Sequence, residues 1–139
     1  MFEKKLTIIN QISQLEELAR FFEEISDEWD LPMSASLNLN LVLEELVTNI
    51  IFYGYEDQNK HEITVVVILD NKLINIQLED DGKEFDPLSI PEPDINLAIE
   101  DRKIGGLGIH FVRKIMDKID YKRLDNRNIL TLSKNISQN

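Results

Sequence analysis

A chain of 139 residues suggests one domain with room for a real hydrophobic core. Its 26 acidic residues against 15 basic ones give a formal charge of −11, which repels a phosphate backbone and argues against general nucleic-acid binding. The absence of cysteine excludes disulfides, thiolate catalysis and cysteine-ligated zinc, and the two histidines, His61 and His110, lack zinc-site spacing.

Residues 3 to 9 read as a short strand. Ile12, Leu15, Leu18, Phe22, Ile25 and Trp29 then recur at helical spacing. Ser13 with Glu16 has capping-box form at the start of that helix. Its other side is acidic, with Glu16, Glu17, Glu23, Glu24, Asp27 and Glu28, and reads as a solvated face or a partner surface. Asp30-Leu31-Pro32 breaks the helix. Ser34 or Ser36 caps the next one, residues 36 to 54, which ends at Gly54. This helix is apolar on nearly every side, through Leu39, Leu41, Val42, Leu43, Leu46, Val47, Ile50 and Ile51, so burial is expected. Glu45 and Asn49 nevertheless share one of its faces, one turn apart.

A polar loop leads to residues 62 to 69, a β-branched run suited to a central strand. Asp70-Asn71 makes the turn into residues 72 to 79, where Ile74, Ile76 and Leu78 alternate. Asp80 continues that inward series, whereas Asp81 falls on the other side. About twenty residues without a clear period follow, the length of an active-site lid. Gly105, Gly106 and Gly108 then precede a helical stripe of Ile109, Val112, Ile115, Met116 and Ile119. Two final strands are joined by a turn over residues 125 to 128.

The order suggests an α+β domain spanning residues 1 to 139, with helices on one face of a mixed, mainly antiparallel sheet. No apolar run approaches the roughly 18 residues of a membrane span, and the N-terminal stretch does not read as a signal peptide. A cytoplasmic protein is the expectation.

Three features converge on a nucleotide with its metal. Glycines at a helix start let the backbone approach phosphates, and the free N–H groups there attract anions. An asparagine oxygen suits Mg²⁺, and a partly buried glutamate suits a general base. An ionised Asp80 accepts hydrogen bonds only, which fits an exocyclic amino group, and Gly82 leaves room for a ring. Each also has an ordinary structural explanation. The glycines serve as a hinge, Asn49 caps backbone, Glu45 forms an ion pair, and Asp80 to Gly82 forms a turn.

Together, EELVTNIIFYGY, DDGKEFDP and GGLGIHFVRKIMDKI resemble the N-box and the two glycine boxes of the gyrase/Hsp90/histidine-kinase/MutL superfamily. The branch they most resemble is that of the bacterial anti-sigma factor serine kinases. The resemblance implies a Bergerat-type ATP-binding sandwich with ATP and Mg²⁺ as cofactors. It implies Glu45 as general base, Asn49 on Mg²⁺, Asp80 and Gly82 at the adenine, and Gly105, Gly106 and Gly108 at the phosphates. Residues 87 to 104 would form a lid. From charge and position, Lys103 or Arg102 reaches the phosphates.

Two positions depart from the pattern. Glu84 stands where a second glycine is common, and Arg127-Asn128 stands where Gly-Thr is common, which removes one hydroxyl near the adenine. The implied activity is a serine/threonine kinase that sequesters a sigma factor and phosphorylates a STAS-type anti-anti-sigma partner. The implied assembly is a homodimer, acting without direct nucleic-acid or membrane contact. The alternatives are a catalytically weak ATP-binding regulatory module, an isolated histidine-kinase catalytic domain, and a relative in fold that binds no nucleotide.

Overall fold

The computed structural model describes residues 1–89 and 106–137. Among them are five strands and three helices. In chain order they are β1 (Phe2–Ile9), α1 (Leu15–Glu28), α2 (Met33–Tyr53), β2 (Glu62–Asp70), β3 (Leu73–Asp80), α3 (Gly106–Ile115), β4 (Lys118–Leu124) and β5 (Arg127–Asn135). Short 3-10 turns occupy Ile12–Gln14 and Pro87–Ser89.

The strands form one sheet in the order β1-β2-β3-β5-β4, and the expected α+β sandwich is present. All four ladders are antiparallel, so the sheet is more regular than a mixed one. Tight turns account for two of them. Asn71 lies at φ 58 between β2 and β3, and Asp125 and Asn126 lie at φ 52 and φ 62 between β4 and β5. Asn and Asp tolerate that left-handed backbone, and two such residues in a row fit a two-residue hairpin turn.

Strand periodicity builds the core. Ile63, Val65, Val67 and Leu69 of β2 and Ile74, Ile76 and Leu78 of β3 are buried on one face. Leu18, Phe22 and Ile25 of α1, Leu39, Val42, Leu43, Leu46 and Val47 of α2, and Ile109 and Val112 of α3 join the same cluster. The helices therefore cover one face of the sheet. Along that face, Val65, Leu78, Leu130 and Tyr121 form one cross-strand row. The next row contains Ile63, Asp80, Asn128 and Arg123, so polar side chains stand at the end of an apolar sheet.

Several local expectations are corrected. The capping box at Ser13 does not form, because Ser13 lies inside the 3-10 turn and Gln14 precedes α1 without a side-chain cap bond. Helix α2 begins at Met33, earlier than expected, with Pro32 in the cap position. A proline has no N–H to lose there. Ser36 is inside the helix and bonds the Ser26 hydroxyl at 2.5 Å. Helix α3 ends at Ile115, and Ile119 belongs to β4, because the Asp117 N–H already bonds the Ser133 carbonyl of β5 at 3.0 Å.

Helix α2 is not buried all round. Met33, Leu37, Leu41 and Phe52 are exposed, while the opposite side packs into the core. Its 21 residues are long and apolar enough to cross a membrane by length and composition, contrary to the reading that no run approaches that length. Its inner side instead covers the sheet.

Candidate functional site

Among the described residues, two polar side chains are buried with the core, Asp80 at 4% and Asn128 at 7% exposure. Asp80 ends β3, where the strand's alternation carries it inward below Leu78, as expected. Its Oδ1 accepts the Gly82 N–H at 2.8 Å and the Asn128 side-chain N–H at 3.0 Å. Neither that contact nor any other described residue supplies a donor for Oδ2. Burial pushes the Asp80 carboxyl above the usual carboxylate range, and the bonds from Asn128 and Gly82 counter part of that shift.

A pocket opens between α2, the end of β3, and the β4–β5 hairpin. Leu46, Ile50, Leu78 and Leu130 make its apolar walls, and Asn49, Asp80 and Asn128 bring polar groups into it. Tyr53, Gly54, Lys83, Phe85, Pro87 and Tyr121 complete the lining. An apolar cleft with a few convergent polar groups is the usual form of a small-molecule site.

The ordinary explanations for Asn49 and Glu45 are not met among the described residues. Asn49 makes no side-chain hydrogen bond there, and Glu45 forms no ion pair there. Helical spacing places Glu45 one turn from Asn49. A Cβ on Gly108 would collide with Glu45 Oε2, so the Glu45 carboxylate lies against the first turn of α3. This brings Glu45 to Gly108, in the first turn of a helix that begins at Gly106 and offers N–H groups without helical partners. Glu44 is exposed, as its angular offset predicts.

Gly82 does not line the pocket, and its contribution is close approach. A Cβ there would lie 2.7 Å from the Gly54 carbonyl oxygen and 2.9 Å from Asp80 Oδ1. Lys83 N–H donates to that same Gly54 carbonyl at 2.9 Å, joining the end of α2 to the end of β3. Gly54 itself is right-handed, at φ −80, so it is not a left-handed cap.

Asp81 faces away from the core, as expected. It accepts from His61 at 3.1 Å while the other ring nitrogen meets Asp57 at 2.8 Å. The His61 ring stacks on Tyr55 with centroids 4.3 Å apart. No group of three metal-ligating side chains is placed to hold an ion among the described residues.

Lys103, Arg102 and Gly105 lie outside the described residues, as does most of the expected lid. The described part of that segment, Pro87–Ser89, is held by Arg113 of α3, whose guanidinium donates to the Pro87 and Leu88 carbonyls at 3.2 and 2.7 Å.

Asn128, noted in the sequence only for the hydroxyl it lacks beside the adenine, was given no site role of its own. It belongs to β5 and not to the turn, and it alternates in phase with Leu130 and Leu132. That phase was the available signal.

A helical layer on an antiparallel sheet, with a buried aspartate at one end of the pocket and glycines at a helix start, makes an α+β sandwich built around a small-molecule site. Residues 9–134 match the family described as the histidine kinase-like ATPase domain, and the chain belongs to that family of ATP-binding domains. It is 26% identical over 111 residues to the serine/threonine-protein kinase BtrW of Bordetella bronchiseptica, covering 78% of this chain and 75% of that protein. It is 26% identical over 98 residues to the anti-sigma F factor of Oceanobacillus iheyensis, covering 66% of this chain and 62% of that protein. The structure of the RsbU and RsbW domains of Rv1364c from Mycobacterium tuberculosis superposes with a TM-score of 0.71 at 14% identity, over 98% of this chain and 33% of that one. That likeness establishes the shared fold.

Proposed function

We propose that the chain is a cytoplasmic serine/threonine kinase of an anti-sigma switch. In this reading it holds Mg-ATP between α2, β3 and α3 and phosphorylates an anti-anti-sigma protein of STAS type, with a sigma factor as the alternative partner. The observation that carries the reading is Asp80, buried at the end of an apolar pocket with Oδ2 free to accept from a base amino group. The kinase and anti-sigma names of the two relatives support the class of reaction.

The residues fit the nucleotide and its metal. Asn49 offers a carboxamide oxygen in the pocket, of the hard-oxygen kind Mg²⁺ takes. Gly106 and Gly108 present the start of α3 to the phosphates. Glu45, beside Gly108, accepts the proton of the incoming serine or threonine hydroxyl. Bound Mg-ATP supplies the phosphoryl group. The protein contributes position and charge stabilisation, the main terms in such transfers.

The competing reading, a binding module without chemistry, draws on Glu84 and on the replaced Gly-Thr. Glu84 is exposed and does not line the pocket, and Asn128 gives Asp80 a hydrogen bond despite the lost hydroxyl. Glu45→Ala is expected to keep Mg-ATP binding by calorimetry and to lose at least about a hundredfold in phosphotransfer to a cognate partner. Wild-type rates in that variant would refute the role of Glu45.

A further inference from the structure

We propose that Asn128 sets the base selectivity of the pocket, by fixing Asp80 so that its one unengaged oxygen faces the ligand as an acceptor. The inference rests on the nucleotide reading above and deepens it.

Asn128 is held by five hydrogen bonds. Its Oδ1 accepts from the Phe85 N–H at 3.3 Å, the Tyr121 hydroxyl at 2.5 Å and Arg123 Nη1 at 3.1 Å. Its Nδ2 donates to Asp80 Oδ1 at 3.0 Å and to the Lys83 carbonyl at 2.9 Å. The carboxamide cannot be reversed. A backbone N–H and a guanidinium donate only, so a flipped Nδ2 would face donors, and a flipped Oδ1 would face the Lys83 carbonyl and a carboxylate. Arg123 strengthens the arrangement by also donating to the Gly82 carbonyl at 2.8 Å, next to the N–H that bonds Asp80.

The consequence falls on Asp80. Two N–H donors occupy Oδ1, and Oδ2 remains as an unengaged acceptor on a pocket-lining residue. A purine with an amino group at position 6 satisfies it. A purine with a keto oxygen there sets two acceptors against each other and leaves both unpaired. Asn128 touches Asp80 and acts through it, so it is a positioning residue for base choice.

The test compares Mg-ATP with Mg-ITP binding to the full chain by calorimetry, in the wild type and in Asn128→Asp. This substitution keeps the shape of the side chain and an oxygen for the Phe85, Tyr121 and Arg123 donors. It sets a second carboxyl against Asp80, and the pair retains a proton to a higher pH. Asp81 just after β3, Arg123 on β4, the Tyr55 hydroxyl and the pocket-lining Lys83, the other titratable groups around Asp80, are unchanged.

The wild type is expected to prefer ATP over ITP by about tenfold or more, the worth of a hydrogen bond to a charged group. In Asn128→Asp that ratio is expected to fall about tenfold, and the acid loss of ATP affinity to move to higher pH. Equal wild-type affinities for ATP and ITP would overturn the inference while leaving a nucleotide site intact. An unchanged ratio and pH profile in a folded Asn128→Asp would also overturn it. A wild type that binds neither nucleotide would remove the pocket reading and this assignment together.

Discussion

Replacing Gly82 with alanine tests how α2 and β3 are joined at the site. The glycine needs no left-handed backbone, so the penalty is purely steric. The new methyl would lie 2.7 Å from the Gly54 carbonyl oxygen, 3.2 Å from its carbon and 2.9 Å from Asp80 Oδ1. The first two are backbone atoms at the end of a helix packed on the core, so they cannot swing aside as a side chain would. Overpacking of this kind costs about 1–3 kcal/mol. Separation of the two segments also weakens the bond from Lys83 N–H to the Gly54 carbonyl, now 2.9 Å, which is worth about 1 kcal/mol. The sum is about 2–4 kcal/mol, within the stability of an ordinary domain, so the variant is expected to fold. At about 3–4 °C per kcal/mol for a chain of this length, Tm should fall by about 6–16 °C. Urea unfolding should show a lower midpoint with an unchanged slope. ATP affinity should fall as well, because Asp80 Oδ1 is the third atom crowded. A Tm within about 2 °C of wild type would show that the two segments are not held as described.

Gly108→Ala is expected to behave in the opposite way. The atom its methyl meets is the end of the flexible Glu45 side chain, and no backbone atom is among its near contacts. Alanine favours a helix over glycine by about 1 kcal/mol, so Tm should be unchanged or slightly raised while phosphotransfer falls as Glu45 is displaced. A marked loss of Tm would contradict that geometry. His61 supplies a pH test. Hydrogen bonds donated to Asp57 and then to Asp81 raise its pKa, so the folded state favours the protonated ring. Its stabilisation is complete below the unfolded value of about 6.5 and disappears as pH rises through the folded value. Tm measured from pH 5.5 to pH 8.5 should carry a downward step that His61→Gln removes, and an identical profile in that variant would exclude His61 as its source.

The parts of the site that were legible are those set by periodicity. Asp80 could be placed because a period of two has one phase, and the apolar residues 74, 76 and 78 fix it. Glu45 and Asn49 could be paired because helical spacing leaves no choice of face. Asn128 obeys the same rule with Leu130 and Leu132, but counting it in the turn as well as in the strand left its phase unused. The backbone supplies the correction, since the positive φ values stop at Asn126. The helix caps were less legible, because Ser13 and Ser36 carry capping side chains at positions the chain uses otherwise. Burial of α2 was overstated for a related reason. Hydropathy ranks Leu37, Leu41 and Leu43 alike, and only the sheet's position decides that Leu43 is covered while the other two are not.

The contacts that make the site a unit were not legible at all, because they join segments with no common period. Lys83 meets Gly54 across the chain, Arg113 holds the carbonyls of Pro87 and Leu88, and Arg123 reaches both Gly82 and Asn128. All but the Arg123–Asn128 bond, which joins β4 to β5, tie the loop after β3 to an element already fixed by the core. A loop residue has no periodic reason to adopt one position, so its place must come from bonds of this kind. The buried Asp80 depends on them most. A carboxylate removed from water stays charged only if donors surround it, and here they come from Gly82 in the loop and Asn128 on the neighbouring strand. The strand pattern thus explains why an aspartate reaches the interior, and the loop contacts explain how the fold tolerates it there.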